Sequence, residues 1–187
     1  VQWVTRLGLV AGETVPIHGA AGGVGSRAVQ IARNLGARII ATGSAANHDY
    51  LRALGAEPVT YGEGLTDRVR AFAPDGVDVV ADFVGGVVDV TTAVLREDGR
   101  HASVADPAVL EVGGRWMWVR PDRADLTLLS EMADRGAVTV AVARTFELDD
   151  AADAFRRSQQ GHEAGKVDGR AARDDHAQTP TANPHPR

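Results

Sequence analysis

The sequence predicts an α/β fold, a doubly wound parallel sheet in a single domain followed by a disordered C-terminal tail. Three observations carry that expectation. Apolar runs of strand length alternate with stretches of helical periodicity along most of the chain. A glycine cluster, GAAGGVG at 19–25, stands between the first such strand and the helix that follows it. The 187 residues, 44% hydrophobic and 24% charged, supply one packed core but fall short of a typical two-domain enzyme.

The elements follow in order. Gln2 to Leu7 reads as the end of a helix stopped at Gly8, and ETVPIHGA (13–20) is the first strand. The next helix recurs at Val24, Ala28, Ile31, Ala32 and Leu35, a spacing that lays one apolar stripe on the sheet, and Gly36 closes it. ARIIATG (37–43) is the second strand. A short helix from His48 to Leu54, a strand near Val59–Tyr61 and a helix from Leu65 to Phe72 repeat the pattern. Strand 76–84, a helix over Val88–Arg96, and strands 99–105 and 115–119 come next. Asp122 is placed to cap a helix running to Arg135 with Leu126, Leu129 and Met132 inward, after which GAVTVAV (136–142) reads as a strand. Asp149 caps a last helix through Phe155 to Gln160. From Gly161 the composition turns polar and rich in Ala, Asp, Arg and Pro, too poor in apolar groups to offset chain entropy. The domain is therefore set at 1–165 and the tail at 166–187.

The glycine loop carries the chemistry. A turn at Ala20, close backbone approach at Gly22 and tight helix packing at Gly25 would leave the amides around Gly23 and Val24 facing a diphosphate, with the helix dipole behind them, and Ala21 is counted with them among the cofactor-binding residues of the loop. Other nucleotide readings fail on particular residues. A P-loop needs a lysine after the glycines, and the only lysine of the chain is Lys166. The spacing of Gly19, Gly23 and Gly25 also fits short-chain dehydrogenases, but neither Tyr50 nor Tyr61 has the required lysine four residues on. Where NAD enzymes and methyltransferases place an acid for ribose hydroxyls, this chain has Ser44. An acid there would repel a 2′-phosphate by about 4 kcal/mol at 4 Å and moderate screening, so its absence favours NADP over NAD.

Composition excludes other classes. With no cysteine there is no disulfide, thiolate nucleophile or cysteine-bound zinc, and the six histidines show no metal-ligating spacing, so no metal is expected. A net charge of −5 with scattered arginines gives no footprint for nucleic acid. No apolar run is long enough to span a bilayer and no secretion signal opens the sequence, which points away from a membrane and toward the cytoplasm.

HGAAGGVGSRAVQIARNLGARIIAT, YLRALGAEPVTY, GVDVVADFVGG and RTFELDDAADAFRRSQQGHEAGKV together resemble the medium-chain dehydrogenase/reductase superfamily, in its zinc-free quinone oxidoreductase-like, NADP-dependent branch. The resemblance is collinear over most of residues 5–167. It implies an oxidoreductase that passes hydride from NADPH to a quinone or an activated carbonyl or alkene, with this chain as the cofactor-binding part. It also implies that Ser44 and Tyr61 contact the 2′-phosphate, and that Val84, Gly85 and Val104 line the ribose and nicotinamide. Asn47 stands where many members have a phosphate-binding lysine, and Pro16 where the central strand usually has an aliphatic residue. The family's N-terminal catalytic domain is expected to be absent from this chain, so a truncated, non-catalytic dinucleotide-binding module is the alternative reading. The family also implies a homodimer through the 115–119 edge strand.

Single residues carry two readings each. His18 is expected to be a hydrogen-bonded structural histidine, and Asp82 a turn-forming acid rather than a catalytic one. Trp116 and Trp118 are read as packing or as a dimer contact. Tyr61 either covers the sheet edge or meets the cofactor. No catalytic triad or general base emerges, which agrees with direct hydride transfer positioned by the protein.

Overall fold

The computed structural model describes residues 1–160 and 166–170; the expectations for 161–165 and 171–187 lie outside these. Its elements are α1 (Gln2–Leu7), β1 (Thr14–His18), α2 (Gly25–Asn34), β2 (Arg38–Gly43), α3 (His48–Ala53), β3 (Glu57–Thr60), α4 (Leu65–Phe72) and β4 (Val77–Asp82). They continue as α5 (Val88–Val94), β5 (Leu95–Ser103), β6 (Arg115–Trp116), α6 (Arg123–Asp134), β7 (Val142–Glu147), α7 (Ala151–Gln160) and β8 (Lys166–Arg170).

Six strands form one parallel sheet in the order β3-β2-β1-β4-β5-β6, so the chain reverses direction across the sheet between β1 and β4. Alternate residues of each strand supply the two faces. Val15, Ile17, Ile39, Ala41, Val79 and Ala81 pack on one side with Val29 of α2 and Leu51 of α3. Ile40 and Val80 pack on the other with Leu65 and Val69 of α4 and Val94 of α5. This is the Rossmann arrangement, with both faces covered because βαβ crossovers place helices there.

Pro16 acts as its chemistry requires. Thr14 donates its amide to Asp78 Oδ2 at 2.7 Å and His18 O accepts from Phe83 N at 3.2 Å, so even-numbered positions of β1 face β4. Pro16 has no amide to offer there, and β1 and β4 register only at Ile17↔Ala81 and His18↔Asp82. On the other side the β1–β2 ladder runs unbroken from Thr14 to Ile17.

Several expectations are corrected. Val24 lies just before α2 rather than on its buried stripe and is 58% exposed. In α6, Asp122 Oδ1 does accept from Asp125 N at 3.0 Å, and Met132 is buried with Leu129 beside it, but Leu126 is 61% exposed over an apolar cleft. The 115–119 strand shortens to the two residues of β6, and Trp116 and Trp118 are both exposed, edge to face at 6.3 Å.

Residues 136–141 do not form the expected strand, because side chains of α2 take their backbone groups. Gln30 Oε1 accepts from Thr139 N at 2.8 Å, Gln30 Nε2 donates to Thr139 O at 3.1 Å, and Asn34 Nδ2 donates to Ala137 O at 2.8 Å. The strand starts only at Val142. There it pairs in parallel with β8, residues 166–170, which composition had assigned to the tail. A strand can be held by a neighbour's backbone without a large apolar residue of its own, and composition does not register that.

Gln30 thus bridges two segments over one hundred residues apart in sequence. Gln30→Ala is expected to cost about 2 kcal/mol in urea unfolding by stranding Thr139's amide and carbonyl. A loss within experimental error of zero would show that the bridge is not stabilising.

Candidate functional site

The carboxyl ends of β1, β2, β3 and β4 open onto a cavity of about 710 Å³, a volume in the ordinary range for ligand sites. It sits where the strand order reverses, the place at which open α/β sheets bind ligands. Its walls are the glycine loop, the turn after β2, Tyr61 after β3, and the Phe83–Val87 segment after β4.

The loop owes its shape to close approaches. Gly19 turns the chain at φ +70°, and a Cβ at Gly25 would lie 2.1 Å from Gly19 O and 2.7 Å from Ala20 Cα. No side chain fits at 25. The loop is pinned to β2, with Gly19 N donating to Thr42 Oγ1 at 3.2 Å and Ala20 N to Thr42 O at 3.1 Å. At the start of α2 there is no side-chain cap and no acid in the first turn, and the amides of Gly23 and Val24 meet no acceptor among the described residues. Open amides at a helix N-terminus are a cradle for an anion. Arg27 adds charge nearby, its guanidinium donating to Gly23 O at 2.7 Å.

Asp82 builds the opposite wall. It is buried, with Oδ1 accepting from Val84 N and Gly85 N, both at 2.9 Å, and Oδ2 accepting from Ser103 Oγ at 2.6 Å. Those bonds occupy both carboxylate oxygens and hold Val84 and Gly85 at the cavity rim. Asp82 shapes a turn rather than meeting a ligand.

The structure brings together Ala21, Gly22, Ser44, Asn47, Tyr61, Val84 and Gly85 around this one cavity. It does not place the other expected residues on the wall. Ala20 is turned fully into the core, and the sharp turn belongs to Gly19 instead. Gly23 and Gly25 contribute backbone geometry beside the cavity. Val24 and Val104 line an adjacent apolar cleft with Trp3, Met117 and Trp118, and Phe83 borders both spaces. Phe83 is held there edge to face against Trp3 of α1, at 6.1 Å.

His18 departs from its expected role. It is fully buried at the floor of the cavity, and neither ring nitrogen has a hydrogen-bond partner among the described residues. Burial lowers its pKa to about 4, with the Asp82 carboxylate opposing that shift. The imidazole is neutral at pH 7. Sequence reasoning marked His18 but gave it partners, since β-strand histidines beside a loop usually find one.

A nicotinamide dinucleotide suits this arrangement by shape and by chemistry. The cavity has a close-approach glycine turn and no acidic residue on its lining, the amides beside it at the start of α2 are open among the described residues, and so is the imidazole at its floor.

Comparisons with known proteins agree. Residues 54–167 match the model of a family described as zinc-binding dehydrogenase. A curated relative, the spectinabilin polyketide synthase system protein NorB of Streptomyces orinoci, is 36% identical over 182 residues, covering 88% of this chain and 8% of that protein. The quinone oxidoreductase of Coxiella burnetii superposes with a TM-score of 0.79 at 30% identity, over 89% of this chain and 55% of that one. A mycobacterial protein solved with NADPH gives a TM-score of 0.73 at 28% identity, over 87% of this chain and 58% of that one. The chain thus spans a small part of its curated relative and about half of these solved chains.

The titration of His18 gives a test. The unfolded chain takes up a proton near pH 6.5, whereas the native state refuses it until about pH 4, so stability falls as pH drops through that window. Between pH 7 and pH 5, wild type is expected to lose about 2 kcal/mol more unfolding free energy than His18→Leu. Parallel losses in urea titrations of the two proteins would refute the assignment.

Proposed function

The chain belongs to the zinc-binding dehydrogenase family of the medium-chain dehydrogenase/reductases, and from that premise we propose that it binds NADP(H) for a quinone oxidoreductase-like enzyme. The observation that carries this is the cavity at the strand-order reversal, with the glycine loop on one wall and the Asp82-held turn on the other. Zinc in the family's description finds no ligand set here. The chain has no cysteine, and among the described residues no group of three or more His, Asp or Glu could hold a metal.

The residues divide the work of holding the dinucleotide. Gly22 lets the backbone approach the diphosphate, and the amides of Gly23 and Val24 donate to it. Ser44, Asn47 and Tyr61 surround the adenosine end, where hydroxyl and amide donors favour a 2′-phosphate that a carboxylate would repel. Val84 and Gly85 orient the ribose, while Phe83, Val104 and the apolar cleft exclude water at the nicotinamide end. When bound, the dinucleotide supplies a hydride, and the protein's part is position and a dry surface.

The acceptor is an electron-poor π system. Similarity to a quinone oxidoreductase supports a quinone, and similarity to a polyketide synthase protein supports an alkene conjugated to an activated carbonyl.

Fluorescence titration with NADPH and NADH tests the reading. NADPH is expected to bind at least about tenfold more tightly. NADH binding tighter by the same factor would reverse the cofactor choice. Absence of any binding by protein shown to be folded would overturn the site itself.

A further inference from the structure

The side chain of Lys166, the only lysine in the chain, lies against the glycine loop. A Cβ at Gly23 would come within 2.4 Å of Lys166 Cε and 2.7 Å of its Nζ, so the ammonium rests against the Gly23 backbone. Lys166 reaches this place from β8, whose first residue is anchored by Lys166 N donating to Ala141 O at 2.9 Å and by registry with Val142. The residue is exposed, and its ammonium makes no hydrogen bond or ion pair among the described residues.

That position gathers positive charge. Arg27 reaches Gly23 O on the same residue, the amides of Gly23 and Val24 have no acceptor among the described residues, and the first turn of α2 has no acid. The buried carboxylate of the neighbouring cavity, Asp82, already spends its oxygens on Val84, Gly85 and Ser103. In a chain with 25 acidic residues and a net charge of −5, two cations converge on one glycine, and neither pairs with an acidic side chain among the described residues. Gly22 of the same loop lines the neighbouring cavity, whose floor is His18, buried with neither ring nitrogen hydrogen-bonded among the described residues.

We propose that Lys166 is a diphosphate ligand of the bound dinucleotide, delivered to the glycine loop by the β7–β8 ribbon. The inference rests on the dinucleotide reading above and extends it to a residue outside the main sheet. The loop amides then supply direction and the ammonium supplies charge. Because an ammonium is a flexible point charge, it can follow either phosphate without needing the planar match an arginine would require. A ribbon that carries this contact also couples cofactor binding to the order of the C-terminal strand.

The test uses the full chain and NADPH itself, titrated by fluorescence across a series of NaCl concentrations, for wild type, Lys166→Met and Lys166→Arg, with melting temperatures recorded for each. Lys166→Met is expected to weaken NADPH binding about tenfold or more and to flatten the salt dependence, with little change in melting temperature. Lys166→Arg is expected to retain most of the affinity and the slope. A Lys166→Met affinity within twofold of wild type, or an unchanged salt slope, would overturn the proposal while leaving the dinucleotide reading intact. Wild type that binds no NADPH would remove the reading and this inference together.

Discussion

The whole arrangement depends on one steric constraint, the contact between the start of α2 and the turn that follows β1. With 2.1 Å between Gly19 O and the place a Cβ of residue 25 would occupy, only glycine lets the helix begin where it does. Move the helix away and the open amides of Gly23 and Val24 at its start leave their place beside the cavity. The other wall is set by electrostatics rather than by packing. A carboxylate buried against Ser103 and two amides cannot leave its place without stranding three groups, which makes the Val84–Gly85 turn as fixed as the loop opposite.

Where local chemistry decides the outcome, the sequence is readable. Helix α4 occupies Leu65–Phe72 as its periodicity predicts, Asp122 caps α6, and Gly8 ends α1 in the left-handed region. Pro16 is read correctly as a lost ladder donor, and the structure adds which neighbour feels the loss. Most of the cavity wall was also legible, from Ala21 and Gly22 through Ser44, Asn47 and Tyr61 to Val84 and Gly85, because a glycine loop between a strand and a helix fixes where the other strand ends must lie.

What was not legible depends on long-range partners. GAVTVAV has every local mark of a strand, yet Gln30 and Asn34 from α2 take its backbone groups first. Residues 166–170 have none of those marks and pair with β7 all the same. The apolar stripe of α6 is likewise incomplete, since Leu126 finds a cleft and not a core. The turn was assigned to Ala20 when its positive φ falls one residue earlier, at Gly19, a shift that spacing alone does not resolve. Lys166 could be singled out by its scarcity, but nothing in the linear order says which loop it reaches.

Pro16 has a wider effect than one missing bond. The central strand is laced continuously to β2, whereas its backbone ladder with β4 is confined to its last two residues and the far end is tied by the Asp78 side chain accepting from Thr14 N. That two-residue stitch lies directly beneath the opening between the glycine loop and the Val84–Gly85 turn. The two walls of the cavity therefore spring from neighbouring strand ends, and the His18↔Asp82 pairing at that stitch fixes the distance at which the glycine loop and the Val84–Gly85 turn stand from each other.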